Sequence, residues 1–203
     1  MAKIKQSILD GISGKLGPIV VVNNGTSTYI RTAPTYTEES WSEKQVQLRN
    51  RFRAVSQFIQ RYKKSMIWQI WKLAPGKGGG YHKFLGANIK AFDLDGTVKE
   101  WSLVRFSEGT LPAPYLLQTE RQSGQITITW KNESGLSPVR ISDRLWYMAF
   151  VDGKFTGPHK TEITRSALEG LLPDPDGNIG GIYVFFSAAD EKAFSPDRYV
   201  GVG

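Results

Sequence analysis

Two aspartates separated by one residue are the side chains in this sequence whose type and spacing could support catalysis. Asp93 and Asp95 stand in the run Ala-Phe-Asp-Leu-Asp-Gly-Thr-Val of residues 91–98. Paired carboxylates can hold a magnesium ion while one of them attacks a phosphoryl group. Asp and Gly are also common turn formers, so the same run predicts an ordinary turn.

The run resembles the first motif of haloacid-dehalogenase-type phosphatases. The resemblance implies that Asp93 is a nucleophile, that Asp95 is a general acid and that both bind magnesium. It covers eight residues only. That fold needs alternating strands and helices after the motif, whereas the sequence downstream has an all-β pattern, and the later lysine and acidic-pair motifs are not recognisable. We therefore favour the turn and predict a protein without enzymatic activity, cofactor or metal.

The sequence lacks the residues that other kinds of catalytic site need. The chain has no cysteine, which excludes disulfides, thiol nucleophiles and cysteine-ligated zinc. Its two histidines, His82 and His159, lie far apart in the sequence. A calcium loop at Asp93 and Asp95 would lack its distal ligands. The glycines of residues 11–17 have neither the preceding strand nor the Lys-Ser/Thr of a phosphate loop, so residues 1–17 are predicted to be a flexible or turn-rich arm.

Basic residues are concentrated in one stretch. Residues 43–90 contain eleven Lys and Arg and a single acidic residue, whereas residues 1–42 have a net charge of +1 and residues 91–203 of −4. A local basic field predicts a surface that binds an acidic partner, or the acidic half of the same protein. The predicted binding residues, for assembly or for a polyanion, are Arg49, Arg53, Arg61, Lys64, Trp68, Trp71 and Lys72.

A long amphipathic helix is expected to carry these residues. Ser40 and Glu43 match a capping box. The apolar stripe that follows has alternating spacings of four and three and consists of Leu48, Phe52, Val55, Ile59, Tyr62 and Met66. A continuous helix would place Trp68 and Trp71 on the opposite, basic face. A break near residues 64–65 would instead turn both tryptophans toward the core, and we favour this break.

A β-hairpin is predicted before the helix. Residues 18–22 are a proline followed by four β-branched residues, residues 24–25 are the Asn-Gly pair favoured in tight hairpin turns, and residues 26–32 are rich in Thr, Tyr and Ile. An isolated two-stranded ribbon is marginal in water, so it needs a covering surface. The residues predicted to meet a neighbouring subunit are Val20, Val22, Tyr29 and Ile30.

The rest of the chain predicts an α+β fold in two domains. A short helix is expected over residues 81–91 and a strand over residues 100–106. Strands are then expected over residues 125–130, 144–151, 182–187 and 198–202, and the second of these is apolar on both faces. Strands at this spacing predict a β-sandwich over residues 109–203, after an N-terminal domain of β-hairpin and helices over residues 1–108.

Two wider resemblances follow from these segments. Residues 125–130 (Gln-Ile-Thr-Ile-Thr-Trp), 145–150 and 182–187 resemble strands of a fibronectin type III or immunoglobulin-like domain. The whole chain resembles an uncharacterised family of roughly 200-residue bacterial proteins from Bacteroidota. The matching residues are those of 11–17, 29–31 and 107–111, with Gln45, Gln47, Arg49, Phe52, Asn88, the segment 128–130 and Asp143. This resemblance implies an architecture and no mechanism.

These patterns together predict a non-enzymatic structural or interaction protein. The expected role is a self-assembling subunit of a larger particle or filament, associated with a virion or a cell surface, and its expected partners are further copies or other protein subunits. A nucleic-acid-binding module is the alternative, and a phosphatase is the third reading. The sequence has no secretory signal and no membrane span, so the expected location is the cytoplasm, with association to a particle or surface after release.

Overall fold

The computed structural model describes residues 2–4, 12–23, 25, 27–35, 37 and 41–203. The chain divides into two compact units, Met1–Val46 and Gln47–Gly203. This division differs from the predicted boundary between residues 108 and 109. Each unit is described in turn.

The first unit contains a four-stranded antiparallel sheet. Its strands are β1 (Ala2–Ile4), β2 (Gly14–Leu16), β3 (Ile19–Asn23) and β4 (Thr28–Thr32), in the order β1-β4-β3-β2. The predicted hairpin is β3 and β4, with Val22 opposite Tyr29 and Val20 opposite Arg31. Asn24, half of the predicted turn pair, lies outside the described residues. Gly25 has a φ of +84° and donates its N–H to Asn23 Oδ1 at 2.8 Å.

The expectation of a flexible or turn-rich arm over residues 1–17 is wrong for its described parts. Residues 2–4 pair with β4, and residues 14–16 pair with β3. A two-residue turn at Gly17 and Pro18 joins β2 to β3, and the φ of +57° at Gly17 is one that glycine adopts readily. Backbone pairing with the hairpin therefore orders segments whose side chains alone gave little strand signal.

The helices are α1 (Glu43–Gln60), α2 (Met66–Leu73) and α3 (Gly80–Asn88). A capping box starts α1, but its residues are Ser42 and Gln45. The Ser42 N–H donates to Gln45 Oε1 at 2.9 Å, and the Gln45 N–H donates to Ser42 Oγ at 3.4 Å. Ser40, of the predicted box, lies outside the described residues.

The apolar stripe does not run along one continuous helix. After Gln60 the chain makes turns through Ser65, whose hydroxyl donates to the Tyr62 carbonyl at 2.8 Å. The break that we favoured near residues 64–65 is therefore present. Val55, Ile59 and Tyr62 are buried as predicted, whereas Leu48 is 56% and Phe52 46% exposed.

Besides its helices, the second unit contains two antiparallel sheets. The strands are β5 (Tyr115–Gln122), β6 (Gln125–Lys131), β7 (Arg144–Val151), β8 (Lys154–Thr164), β9 (Glu169–Pro173), β10 (Ile179–Ser187) and β11 (Arg198–Gly201). One sheet has the order β11-β10-β7-β8 and the other β5-β6-β9. Together with the helices they confirm the predicted α+β class.

The strand β7 is buried on both faces, as its composition predicted. Leu145, Tyr147 and Ala149 pack with the three-stranded sheet. Trp146 and Met148, on the opposite face, pack with residues of the helices. The sheet β11-β10-β7-β8 is therefore the middle of three layers in the second unit, because helices cover one of its faces and the three-stranded sheet covers the other.

The expected strand over residues 100–106 is absent from the described structure. Residues 101–103 form a single turn of 3-10 helix, and Val104 and Phe106 are fully buried. The N–H groups of Phe106 and Ser107 donate to the carboxylate of Asp197 at 2.6 and 3.2 Å. A side chain thus replaces the neighbouring strand that would otherwise satisfy this backbone.

A shared aromatic core explains why no boundary falls at residue 108. The Phe106 ring lies 5.9 Å from that of Phe58 in α1 and 4.8 Å from that of Tyr183 in β10, measured between centroids. Division at residue 108 would cut through this cluster. The helices of residues 47–91 therefore belong to the same unit as the two C-terminal sheets.

Candidate functional site

The Asp93 and Asp95 run forms a tight turn. The Asp93 N–H donates to the Thr97 carbonyl at 2.8 Å, and Phe92 and Val98 form an antiparallel bridge. Asp95 Oδ1 accepts from the Thr97 N–H at 2.9 Å and from its hydroxyl at 2.8 Å. These hydrogen bonds hold the pKa of the Asp95 carboxyl below its ordinary value.

Glycine is required at the tip of this turn. Gly96 has a φ of +90°, and a Cβ built there would lie 3.0 Å from the Ala54 Cβ of α1. The turn therefore packs closely against the helix. Within the described residues, no group of three or more His, Asp or Glu side chains could hold a metal ion. The geometry agrees with the turn interpretation.

The predicted basic residues are on the surface. Arg49, Arg53, Arg61, Lys64 and Lys72 are all exposed. Arg53, Arg61, Lys64 and Lys72 form no ion pair with any described carboxylate. Their charge is therefore available to a partner.

The two tryptophans of the predicted binding set do not share that surface. Trp71 is 1% exposed, and its indole Nε1 donates to the Phe106 carbonyl at 2.9 Å. Trp68 is half-buried and packs against the same aromatic core. The break after α1 rotates α2 so that its apolar face meets the core, which removes Trp71 from any exposed binding surface.

A groove opens in the second unit beside the turn of residues 93–97. It has a volume of about 750 Å³ and lies between α1, residues 92–101 and the hairpin of β7 and β8. Five aromatic side chains line it: Phe58, Tyr62, Phe92, Trp101 and Phe155. Phe155 lies 5.0 Å from Trp101 and 6.3 Å from Phe58 between ring centroids, so the rings form a continuous wall.

The charged side chains that line the groove are cations. Arg61 and Lys154 are exposed and line it, and none of its lining residues is acidic. Neither cation forms an ion pair among the residues that the structure describes. The groove therefore combines aromatic walls with a positive potential.

Tyr62 contributes an unpaired hydroxyl. Its side chain is 9% exposed, and its hydroxyl makes no hydrogen bond to the described part of the chain, yet the oxygen is not sealed from solvent. Burial raises the pKa of Tyr62 to about 12. The phenol is thus neutral near pH 7 and can donate a hydrogen bond to a group in the groove.

The sequence patterns did not reveal this groove. Its residues come from α1, from residues 92–101 and from the start of β8, which are separated by dozens of positions. Arg61 was in the predicted binding set, but Tyr62 was assigned only to the apolar stripe.

The first unit carries a second candidate surface, the faces of its sheet. Val20 and Val22 share one face with Tyr29, whereas Ile19 and Val21 share the other with Ile30. The four predicted assembly residues are therefore divided between two faces, and all four are half-buried. In β2, β3 and β4, only Val21 and Thr28 are buried.

One buried ion pair lies in the second unit, apart from the groove lining. Asp143 Oδ2 is 3.5 Å from Arg165 Nε, and both side chains are almost fully buried. Burial raises the pKa of Asp143 and lowers that of Arg165. The Arg165 guanidinium also lies 3.8 Å above the Phe186 ring and donates to the Pro112 carbonyl at 2.7 Å. Since its partners are internal, we assign this pair a structural role.

No helix in the described part of the chain is long and apolar enough to cross a membrane. Compared with known proteins, the sequence matches no protein-family model and no curated protein. The resemblance to the Bacteroidota family therefore stays a prediction.

Proposed function

We propose that this protein is a non-enzymatic structural protein that assembles with further copies of itself into a particle or filament. The observation that carries the proposal is the apolar character of β3 on both faces of its sheet. Residues 19–22 are Ile-Val-Val-Val, and their side chains alternate between the two faces. An antiparallel sheet usually has one solvated face, which is polar.

The sheet of the first unit leaves much of this apolar surface without full cover. Val20, Val22 and Tyr29 form a strip on one face, and each is half-buried. Leu16 is 64% exposed at the edge strand β2. Apolar surface of this kind, rimmed by the exposed cations Lys15 and Arg31, is typical of an interaction site.

Charge separation along the chain favours a second copy as the partner. Residues 43–90 carry a net charge of +10 and residues 91–203 of −4. Opposite potentials on different surfaces favour a heterologous contact between copies, which generates rings or filaments.

A fibronectin III or immunoglobulin-like assignment of the C-terminal sheets is part of this proposal. Its first, second and fifth strands pair as β5-β6-β9, and its third, sixth and seventh pair as β7-β10-β11. These pairings are the ones expected for that sandwich. The fourth strand, β8, pairs with β7, and Trp130 of the second strand is buried between the sheets.

Sedimentation of the purified chain over a wide concentration range tests the assembly. We expect a concentration-dependent increase in mass that the double variant Val20→Thr/Val22→Thr weakens, since it keeps β-branched side chains but removes apolar surface. The control is Val139→Thr/Ile141→Thr, which alters two exposed apolar residues of the second unit. A parent protein that stays monomeric at all concentrations contradicts the proposal.

A nucleic-acid-binding module is the second candidate. It is favoured by the exposed cations Arg53, Arg61 and Lys64, but the burial of Trp71 removes one of the two tryptophans of the predicted binding set. Fluorescence anisotropy with single- and double-stranded oligonucleotides tests it. Binding should weaken steeply as the salt concentration rises. A triple substitution of these cations by Gln should make the negative slope of log K against log salt shallower by about 2–3. The absence of binding at low salt removes this candidate.

A further inference from the structure

The aromatic groove between α1 and the hairpin of β7 and β8 has the properties of a ligand site. Its walls offer flat apolar surface, and its polar lining offers the cations of Arg61 and Lys154 and the hydroxyl of Tyr62. We propose that this groove binds a small organic anion built on an aromatic ring, the chemistry shared by aryl carboxylates and aryl phosphates. The proposal is independent of self-assembly.

The unpaired Tyr62 hydroxyl is the first argument. A phenol hydroxyl that reaches solvent and has no hydrogen-bond partner within the protein can donate to a bound ligand. Tyr62 lines the groove and has no such partner in the described chain. An anion in the groove would accept a hydrogen bond from it.

Charge complementarity is the second argument. Arg61 and Lys154 come from opposite sides of the groove, one after α1 and the other at the start of β8. Both are unpaired within the described residues, and no acidic side chain lines the space between them. Two cations in one lining favour an anion over a neutral or cationic group.

The shape and composition of the walls give the third argument. A volume of about 750 Å³ lies in the usual range of small-molecule sites. Trp101 and Phe155 are half-buried and thus present part of their ring surface. Aromatic rings pack well edge-on or offset against such surfaces, so the body of the ligand is expected to be a ring.

Calorimetric titration of the full chain with three matched probes tests the proposal. The probes are phenyl phosphate, phenylacetate and the neutral 2-phenylethanol. We expect the better of the two anions to bind with a dissociation constant of about 1 mM, as befits so small a ligand, and the neutral probe to bind at least about ten times more weakly. The ratio between the two anions identifies the preferred acid.

Two double variants distinguish binding in the groove from a non-specific effect of the protein's net positive charge. Arg61→Gln/Lys154→Gln should weaken anion binding about tenfold or more. Lys63→Gln/Lys77→Gln removes the same charge from exposed positions outside the groove lining and should change binding less than about twofold. Tyr62→Phe should weaken anion binding about fivefold and weaken binding of the neutral probe less, because an alcohol oxygen is the poorer acceptor.

Three results would overturn the proposal. One is equal binding of the neutral and anionic probes, and another is equal loss in both double variants. The third is the absence of any binding heat for the folded parent protein at concentrations of about 10 mM. Unfolding curves of each variant establish that it is folded before its titration is interpreted.

Discussion

The indole N–H of Trp71 donates to the backbone carbonyl of Phe106 across 35 positions of sequence, at 2.9 Å. Both side chains are essentially inaccessible to solvent. This bond joins α2 to the irregular segment that precedes the C-terminal sheets. It also explains why a tryptophan in a basic stretch of sequence belongs to the core.

Substitution of Trp71 by Phe is expected to destabilise the fold. The change leaves the buried Phe106 carbonyl without its donor and removes apolar volume, so we expect a loss of about 2–4 kcal/mol in the free energy of unfolding. Urea unfolding followed by far-UV circular dichroism measures it. Trp68→Phe is the control, since Trp68 is half-buried, and its loss should be about 1 kcal/mol or less. Equal losses would contradict this role of Trp71.

Substitution of Gly80 by Ala should distort the contact between α2 and α3. A Cβ at this position would lie 2.9 Å from the Lys72 nitrogen and 2.9 Å from the Trp71 carbonyl carbon. Both are backbone atoms, so they cannot shift without distorting α2. We expect a loss of about 2 kcal/mol or more. The neighbouring Gly79→Ala is the matched control, because its Cβ would meet nothing within 4 Å. A thermal melt that shows both variants equally stable would contradict the expectation.

Asp197 should make stability depend on pH. Burial raises its pKa to about 6, although N–H groups of Phe106 and Ser107 and the guanidinium of Arg105 oppose the shift. Because this folded-state pKa exceeds the ordinary carboxyl value, the folded state holds a proton more tightly than the unfolded state does. The contribution of Asp197 to stability is therefore greatest below about pH 4 and falls as the pH rises through 6.

The variant Asp197→Asn, which does not titrate, isolates this effect. Relative to the variant, the parent protein should gain about 2–3 kcal/mol of stability when the pH is lowered from about 7.5 to about 4.5. Urea unfolding of both proteins at the two pH values gives the difference. A difference that is independent of pH would show that Asp197 titrates alike in the folded and unfolded states.

Magnesium should have no effect on this protein through Asp93 and Asp95. The carboxylate of Asp95 is occupied by Thr97, and the described residues supply no cluster of metal ligands. We expect no shift in the thermal midpoint at millimolar magnesium and no hydrolysis of p-nitrophenyl phosphate. Metal-dependent hydrolysis that Asp93→Asn abolishes, while Asp152→Asn leaves it intact, would restore the phosphatase reading.

Local patterns determined the elements whose signal is contained within a few residues. Residues 125–130 were predicted to be a strand, and their alternating apolar side chains form the single buried face of β6. The apolar character of residues 144–151 on both faces predicted that β7 is covered on both sides. The β-branched runs around residues 24–25 predicted β3 and β4. In these cases the periodic pattern of apolar side chains directly indicates which face of the strand is buried.

The tertiary structure alone decided which surfaces these elements present. Helical periodicity left both a continuous helix and a break near residues 64–65 open, because the stripe continues in the sequence through Met66 whereas α1 ends at Gln60. Phe106 is a residue type that is common in strands. Its backbone N–H, however, donates to the carboxylate of Asp197, 91 positions later, and not to a neighbouring strand. The groove likewise exists only where three distant segments meet. Contacts between residues far apart in sequence have no local period, so only the folded chain reveals them.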